Sequence, residues 1–185
     1  MARNEPLTFD PIAEARRQWD RRAFAASSAM VATTSIMRAH QIVQRAVDEA
    51  LAPFDLTFAR YEALTLISFS RAGELPLGKM GDRLMVHPAS VTNAIDRLER
   101  QGLVERRRSS VDRRTVLAAI TDAGRKVVEE ATAALGQIEY GAGALSESER
   151  ESLYDIVKVL RAAEGDFVPG ADALDDESTE DSLDV

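Results

Sequence analysis

The stretch that decides the fold is LMVHPASVTNAIDRLERQGLVERRRSSVDRR, which runs from residue 84 to residue 114. Its first half predicts a helix over residues 88–101. Proline suits the first turn of a helix, and Val91, Ile95 and Leu98 recur at the spacing of one helical face. We therefore expect a helix with one buried face and one polar face.

The second half of this stretch predicts a short basic hairpin. Two strands, over residues 103–108 and 115–120, are separated by a polar turn. From Arg97 to Arg114 there are seven arginines against three acidic residues, which gives a local charge of +4. Arginines crowded on one hairpin repel one another, so this pattern favours a surface that faces phosphate groups. The hairpin is therefore predicted to contact a nucleic acid.

Helices are predicted on both sides of the stretch. They cover residues 10–22, 23–51, 57–71 and 77–85 upstream, then 121–141 and a last helix that a capping box at Ser146 and Glu149 opens. Helix, short helix, helix and basic hairpin, in that order, predict a winged helix-turn-helix. The predicted fold class is mainly α with a small β-wing.

The polar face of the 88–101 helix and the hairpin supply the candidate DNA contacts. Short polar side chains on such a helix can meet base edges in the major groove, and Asn93 suits adenine. The start of the helix favours a phosphate, and a tip arginine suits a narrow minor groove. The candidates are Pro88, Ala89, Ser90, Thr92, Asn93 and Arg97 on the helix, and Arg106, Arg107, Arg108, Asp112, Arg113 and Arg114 on the hairpin. An ordinary solvated helix face is the alternative for the helix residues.

The net charge of −8 is concentrated at one end of the chain. Residues 164–185 hold nine acidic residues and no Lys or Arg, so residues 1–163 carry −8 + 9 = +1. This acidic composition predicts a disordered tail. The tail is expected either to compete with DNA for the basic wing or only to keep the protein soluble.

Other classes of function find little support in the sequence. There is no cysteine and there are only two histidines, so disulfides, thiolate chemistry and a histidine-rich metal site are not expected. We also expect no cofactor. Phosphate-binding, zinc-protease and nucleophile-elbow motifs are missing, so no enzyme is expected. No apolar run reaches the length of a membrane span, so we expect a cytoplasmic, nucleoid-associated protein.

The chain resembles the MarR family of regulators. The resemblance rests on residues 84–104, on Asp112-Arg113-Arg114 and on the pattern from Leu117 to Gly124. It implies a homodimer that is assembled from the first and last helices and binds a pseudo-palindromic double-stranded operator. Because most members of the family repress transcription, the resemblance also implies a repressor. It also implies that Arg114 enters the minor groove with Asp112 as its partner. His87 stands where the family usually has Ser or Thr, and a capping imidazole is favoured over a base contact.

The N-terminal extension resembles the urate-responsive subgroup of that family. Trp19, Glu62 and Arg106 fill three of the subgroup's four ligand positions, and Ala94 stands at the fourth in place of an arginine. Because a buried anion would lack that cation, urate itself is disfavoured. A small phenolic or anionic effector is expected in a pocket with candidates Trp19, His40, Tyr61, Glu62 and Arg106. The alternative to a ligand contact is packing for Trp19 and Tyr61. For His40 the alternative is a place in the core or in the dimer interface.

These observations predict five segments along the chain. They are a disordered N-terminus (1–9), N-terminal dimerisation helices (10–56), a DNA-binding domain (57–120), C-terminal dimerisation helices (121–163) and the acidic tail (164–185). The competing function is a winged-helix adaptor that binds proteins and not DNA. Such an adaptor would have an apolar or mixed recognition face and no crowded arginines.

Overall fold

The computed structural model describes residues 7–109, 112 and 114–168. The chain forms two compact units, residues 1–45 and residues 46–185. The helices are α1 (Pro11–Arg21), α2 (Ser27–Leu51), α3 (Phe58–Phe69), α4 (Leu77–Leu84), α5 (Pro88–Arg100), α6 (Asp122–Gln137) and α7 (Glu147–Ala163), with 3-10 turns at Ala52–Phe54 and Glu139–Gly141. The strands are β1 (Glu74–Pro76), β2 (Val104–Arg108) and β3 (Val116–Ile120). The predicted fold class is confirmed.

Both ends that the sequence predicts to be disordered lie mostly outside the described residues. These are residues 1–6 of the N-terminus and residues 169–185 of the acidic tail. Their disorder therefore stays a prediction.

The first unit contains α1 and most of α2. Asp10 caps α1, because its side chain accepts a hydrogen bond from the Ile12 N–H at 2.9 Å. The prediction that α2 begins at residue 23 is wrong. Ala23 and Ala26 have left-handed backbones, with φ of 51° and 56°, and a helix cannot pass through such residues. α2 therefore begins at Ser27.

The core of the second unit lies between α3 and α5. Leu64 and Ile67 on α3 are fully buried, as are Ile95 and Leu98 on α5. Burial of each such side chain stabilises the fold by roughly 1.5–3 kcal/mol relative to exposure. The buried face of α5 is the one that its sequence spacing predicts, so the opposite face is left for solvent or a ligand.

Within the described residues, three antiparallel strands form a sheet in the order β1-β3-β2. The hairpin pairs Val104 with Ile120 and Arg108 with Val116. The sequence analysis missed β1, because three residues are too few to show an alternating pattern. Leu75 in β1 is fully buried and pairs with Ala118, so β1 ties the wing to the helical core.

A close approach fixes α6 against the wing. Thr121 caps the helix by accepting a hydrogen bond from the Gly124 N–H at 3.0 Å. A Cβ atom at Gly124 would lie only 2.1 Å from the Leu103 carbonyl oxygen, so no larger residue fits there. The helix was predicted to reach residue 141, but it ends at Gln137 because Glu139 and Tyr140 have left-handed backbones.

The last helix presents apolar side chains to the outside. The capping box predicted at Ser146 is present, with the Ser146 N–H donating to the Glu149 carboxylate at 2.8 Å. The exposed apolar residues of α7 are Leu153, Tyr154, Ile156, Val159 and Leu160, with exposed fractions from 47% to 69%. Apolar surface of this extent on one helix is typical of a protein interface.

Two absences apply to the described part of the chain. None of its helices is long and apolar enough to cross a bilayer. Within those same ranges, no three His, Asp or Glu side chains come together as metal ligands would.

Candidate DNA-binding surface

One side of α5 is polar and faces solvent. Ser90, Thr92, Asn93 and Arg97 are all exposed, while Val91 on the opposite face is 2% exposed. A helix of this kind presents short donors and acceptors without disturbing its packing. α5 is therefore the candidate recognition helix.

The start of α5 is capped from within the chain. His87 accepts a hydrogen bond from the Ala89 N–H through Nδ1 at 3.2 Å, which confirms the prediction of a capping imidazole. The Ser90 N–H donates to the His87 carbonyl at 2.8 Å. Pro88 has no N–H. The first turn of α5 therefore offers a phosphate fewer backbone donors than an uncapped helix would.

The hydroxyl of Thr92 is turned back toward its own helix. Thr92 Oγ1 donates to the Pro88 carbonyl oxygen at 3.1 Å. In this rotamer the hydroxyl oxygen still carries lone pairs that point outward. Thr92 can therefore accept a hydrogen bond from a base amino group, but it does not donate one.

Two carboxylates of α5 hold the first arginine of the wing. Arg106 Nη2 lies 2.5 Å from Asp96 Oδ1, and Arg106 Nη1 lies 2.5 Å from Glu99 Oε2. Burial alone would lower the pKa of Arg106, but the hydrogen bonds to Asp96 and Glu99 outweigh burial and raise it. The ion pairs join β2 directly to the recognition helix. The sequence analysis missed both acids, because nothing in the spacing shows which strand residue will face them.

The next two arginines of β2 differ in their partners. Arg107 forms ion pairs with Glu105 on its own strand and, at 3.9 Å, with Glu74 on β1. Arg108 is exposed at the end of the strand. The alternation of the strand thus separates Arg107 from the side that carries Arg106 and Arg108.

Asp112 shapes the tip of the hairpin through the backbone. Its Oδ1 accepts from the Arg114 N–H at 2.9 Å, and its Oδ2 accepts from the Thr115 hydroxyl at 3.1 Å. The Arg114 side chain is exposed. Asp112 therefore holds the turn from which Arg114 projects. The candidate Arg113 lies outside the described residues.

A polar groove lies beside the recognition helix, and we call it the arginine groove. It has a volume of about 610 Å³ and runs between the start of α3 and the exposed side of α5. Its lining residues are Asp55, Thr57, Ala59, Arg60, Ser90, Asn93, Ala94, Arg97, Arg100 and Gln101. The sequence analysis missed Arg60 and Arg100 as site residues. Arg60 is far from the motif in sequence and is brought to it only by the packing of α3 on α5.

Comparisons with known proteins place this geometry in a family. The family model described as the MarR family matches residues 56–116. Sco5413 of Streptomyces coelicolor, a MarR family transcriptional regulator, is 51% identical. It aligns over 76% of this chain and 97% of its own, with a TM-score of 0.70. The chain belongs to the MarR family.

Two other known proteins are also similar to this chain. A mutant of MarR from E. coli, solved in complex with operator DNA, is 27% identical over 69% of this chain and 91% of its own, with a TM-score of 0.62. The regulator YhbI of Bacillus subtilis is 34% identical over 54% of this chain. The chain spans 62% of the length of YhbI.

The predicted ligand residues of this MarR protein fall in both units. In the first unit, the Trp19 indole N–H donates to the Ala25 carbonyl at 3.0 Å, and its ring meets Phe24 edge-on at 5.2 Å. These contacts favour the packing alternative for Trp19. His40 is exposed on α2.

The remaining ligand candidates lie in the second unit. Tyr61 is 5% exposed, and its hydroxyl is 3.0 Å from Thr132 Oγ1 and 3.1 Å from the Tyr140 hydroxyl. Neighbouring protein atoms strip some water from Glu62 and raise its pKa, although the residue is exposed. Arg106 is occupied by its ion pairs. The ligand pocket therefore stays a prediction for this MarR protein.

Proposed function

We propose that this protein is a transcriptional regulator that binds a specific double-stranded operator. The observation that carries the proposal is the exposed polar side of α5 next to a wing whose Arg108 and Arg114 project into solvent. The diameter of an α-helix fits the width of the major groove, and a two-stranded wing can reach the neighbouring minor groove. Within the described ranges, no side-chain hydrogen bond or ion pair in the folded chain accounts for Ser90, Asn93, Arg97 and Arg108.

The proposed contacts divide between base edges and phosphates. Asn93 can form two hydrogen bonds with adenine, and Thr92 can accept from a base amino group. Arg97 and Arg108 neutralise phosphates, and Arg114 enters the minor groove, where a narrow A·T tract attracts cations. Base contacts supply the selectivity of such a surface, and phosphate contacts supply most of its affinity for random DNA.

The regulator is proposed to act as a homodimer. Val159 and Ile156 on α7 are 69% and 64% exposed, which is unfavourable for a helix that stays in water. A second copy would cover this surface and would present two recognition helices to a two-fold symmetric site. In this arrangement residues 10–56 and 121–163 serve dimerisation and residues 57–120 bind DNA.

The regulatory outcome is proposed to be repression in the cytoplasm, at the nucleoid. A protein that covers an operator excludes other proteins from it, and a phenolic or anionic effector would release it. No catalytic step is part of this function.

A salt-dependent binding titration tests the proposal. The purified chain is titrated by fluorescence anisotropy against the intergenic DNA beside its own gene and against random DNA, at about 50 and about 200 mM salt. We expect selective binding that weakens steeply with salt. Absence of binding to either DNA at the lower salt concentration would overturn the proposal and favour the adaptor.

A further inference from the structure

The arginine groove carries unneutralised positive charge. In the described part of the chain, no carboxylate forms an ion pair with Arg60, Arg97 or Arg100, whereas Arg106 and Arg107 are both paired with acids. Unpaired arginines along one concave surface attract a polyanion.

The hydrogen bonds of the groove arginines leave their charge in place. Arg60 Nε donates to the Thr57 hydroxyl at 3.3 Å, and Arg100 Nε donates to the Asp96 backbone carbonyl at 3.1 Å. Both acceptors are neutral groups. The acid that lines the groove, Asp55, accepts from the Gln101 amide at 2.8 Å. Three arginines against one carboxylate leave the groove with a formal charge of +2.

The C-terminal end of α7 lies beside the turn that leads into the recognition helix. Arg161 Nη2 is 3.9 Å from the sulfur of Met85, the residue that ends α4 in a left-handed conformation. Arg161 also holds the chain that follows α7, through Asp166 at 3.1 Å and over the Phe167 ring at 5.5 Å. The last described residues, up to Val168, therefore follow a helix end that contacts the turn before the recognition helix.

The residues that follow, 169–185, are strongly acidic, and we call them the acidic segment. The segment holds seven carboxylates and no Lys or Arg: Asp172, Asp175, Asp176, Glu177, Glu180, Asp181 and Asp184. Seventeen residues can span at most about 55–60 Å, and the recognition helix is about 20 Å long. The segment is therefore long enough to follow the groove beside α5.

We propose that the acidic segment binds the arginine groove and competes there with the phosphates of DNA. The arginine groove is thus occupied by a polyanion of the same chain, in the place that a nucleic-acid backbone would take. In the described part of the chain, the groove brings three arginines without acidic partners together, whereas the described wing has two, Arg108 and Arg114, because Arg106 and Arg107 are paired with acids. This inference rests on the proposed function, since the same side of α5 carries Ser90, Asn93 and Arg97.

The main experiment keeps the chain at full length and removes only the charge. A variant with all seven carboxylates of the segment changed to amides, Asp→Asn and Glu→Gln, is titrated against DNA beside the natural chain. The effective concentration of a tethered segment is in the mM range, so we expect the variant to bind DNA about three- to tenfold more tightly at low salt. The difference should shrink as salt weakens the competing contact. Equal affinities at low salt would overturn the proposal.

A second measurement locates the contact without using DNA. A fluorescein-labelled peptide of residues 169–185 is added to the neutralised full-length variant, and its anisotropy is measured. We expect binding that Arg60→Gln and Arg100→Gln weaken, and that the matched wing change Arg108→Gln leaves intact. Absence of peptide binding, or loss of binding only with Arg108→Gln, would overturn the groove assignment.

The two measurements separate this inference from the proposed function. If neither full-length chain binds any DNA, the regulator proposal fails and the claim of competition fails with it. The peptide titration would still decide whether the acidic segment occupies the groove. If DNA binds and the peptide does not, only the groove assignment fails.

Discussion

The guanidinium of Arg106, at the start of the wing, lies 2.5 Å from the carboxylate of Asp96 on the recognition helix. A second carboxylate on the same helix, that of Glu99, binds the other nitrogen. Two fixed contacts set the angle between wing and helix, and so the distance between a minor-groove contact and a major-groove contact. Arg106 is therefore a positioning residue within the proposed interface.

Asp96→Asn tests this positioning role. Removal of a negative charge beside DNA should tighten binding if charge alone matters. We expect instead a loss of operator affinity by about 0.5–1 kcal/mol, the usual magnitude for a partly exposed ion pair. Anisotropy with operator and with random DNA measures it. Glu105→Gln is the control, because Glu105 pairs with Arg107 and does not bridge to α5. Tighter operator binding by Asp96→Asn would contradict the role.

Arg114→Ala should remove a contact at the tip of the wing. We expect a loss of about 1–3 kcal/mol in operator binding, because the exposed arginine projects from a turn that Asp112 holds. Lys126→Ala on α6 removes the same charge away from the wing and should have little effect. A loss confined to random DNA would show that the role assigned to Arg114 is wrong, and an equal loss with both DNAs would show that it contacts phosphates only.

Gly124→Ala should destabilise the fold. Its Cβ would overlap the Leu103 carbonyl oxygen at 2.1 Å, and overpacking of this kind costs about 1–3 kcal/mol. Urea unfolding followed by circular dichroism measures the free energy of unfolding. Gly136→Ala is a matched control on the same helix, where a Cβ meets no atom within 4 Å. It should gain up to about 1 kcal/mol from helix propensity. Equal effects of the two changes would show that the close approach is not rigid.

Ile156→Glu should separate the proposed dimer. The side chain is 64% exposed on α7, so the folded chain tolerates a charge there, but an interface between two copies does not. Light scattering after gel filtration should report half the natural mass with unchanged helical content. Ser152→Glu, also on α7, adds the same charge at an exposed polar position and serves as the control. A dimer that survives Ile156→Glu would place the interface elsewhere.

The hydroxyl pair of Tyr61 and Tyr140 predicts a change of stability at alkaline pH. The hydrogen bond between the two hydroxyls, together with burial, raises the pKa of Tyr140 from 10.0 to about 12. Because the folded value is above the unfolded one, the stabilising effect is present below pH 10 and is lost as pH rises toward 12. Ultraviolet titration measures the pKa of Tyr140 in the natural chain and in the variant Tyr61→Phe. If the Tyr140 pKa stays the same in Tyr61→Phe, the Tyr61 hydroxyl is not what raises it.

The recognition helix could be predicted from sequence because local signals agree there. Pro88, the His87 cap and the spacing of Val91, Ile95 and Leu98 all specify the same helix and the same buried face. The order of the elements around it then predicted the winged fold. Where only one periodic signal supported a helix, its observed boundaries differ from the predicted ones. Helix α2 was extended too far back because alanine favours a helix, although Ala23 and Ala26 form a turn.

The partners of the site residues could not be predicted. Side chains distant in sequence meet only after packing, as Arg60 meets the polar side of α5 and Arg106 meets Glu99. A three-residue strand such as β1 has no periodicity of its own and forms because β3 offers it an edge. Composition alone indicates the charge of each segment, but it does not indicate which arginines are neutralised.

The ion pairs of Arg106 and Arg107 limit how many counterions this protein can displace from DNA. An arginine that already holds a carboxylate releases none when it approaches a phosphate. Each phosphate contact contributes about −0.9 to the slope of log K against log salt, so these two residues would make the slope of each protomer shallower by about 1.8 than the arginine count of the wing suggests. A measured slope therefore reports how many arginines are available to DNA, and the sequence reports only how many there are.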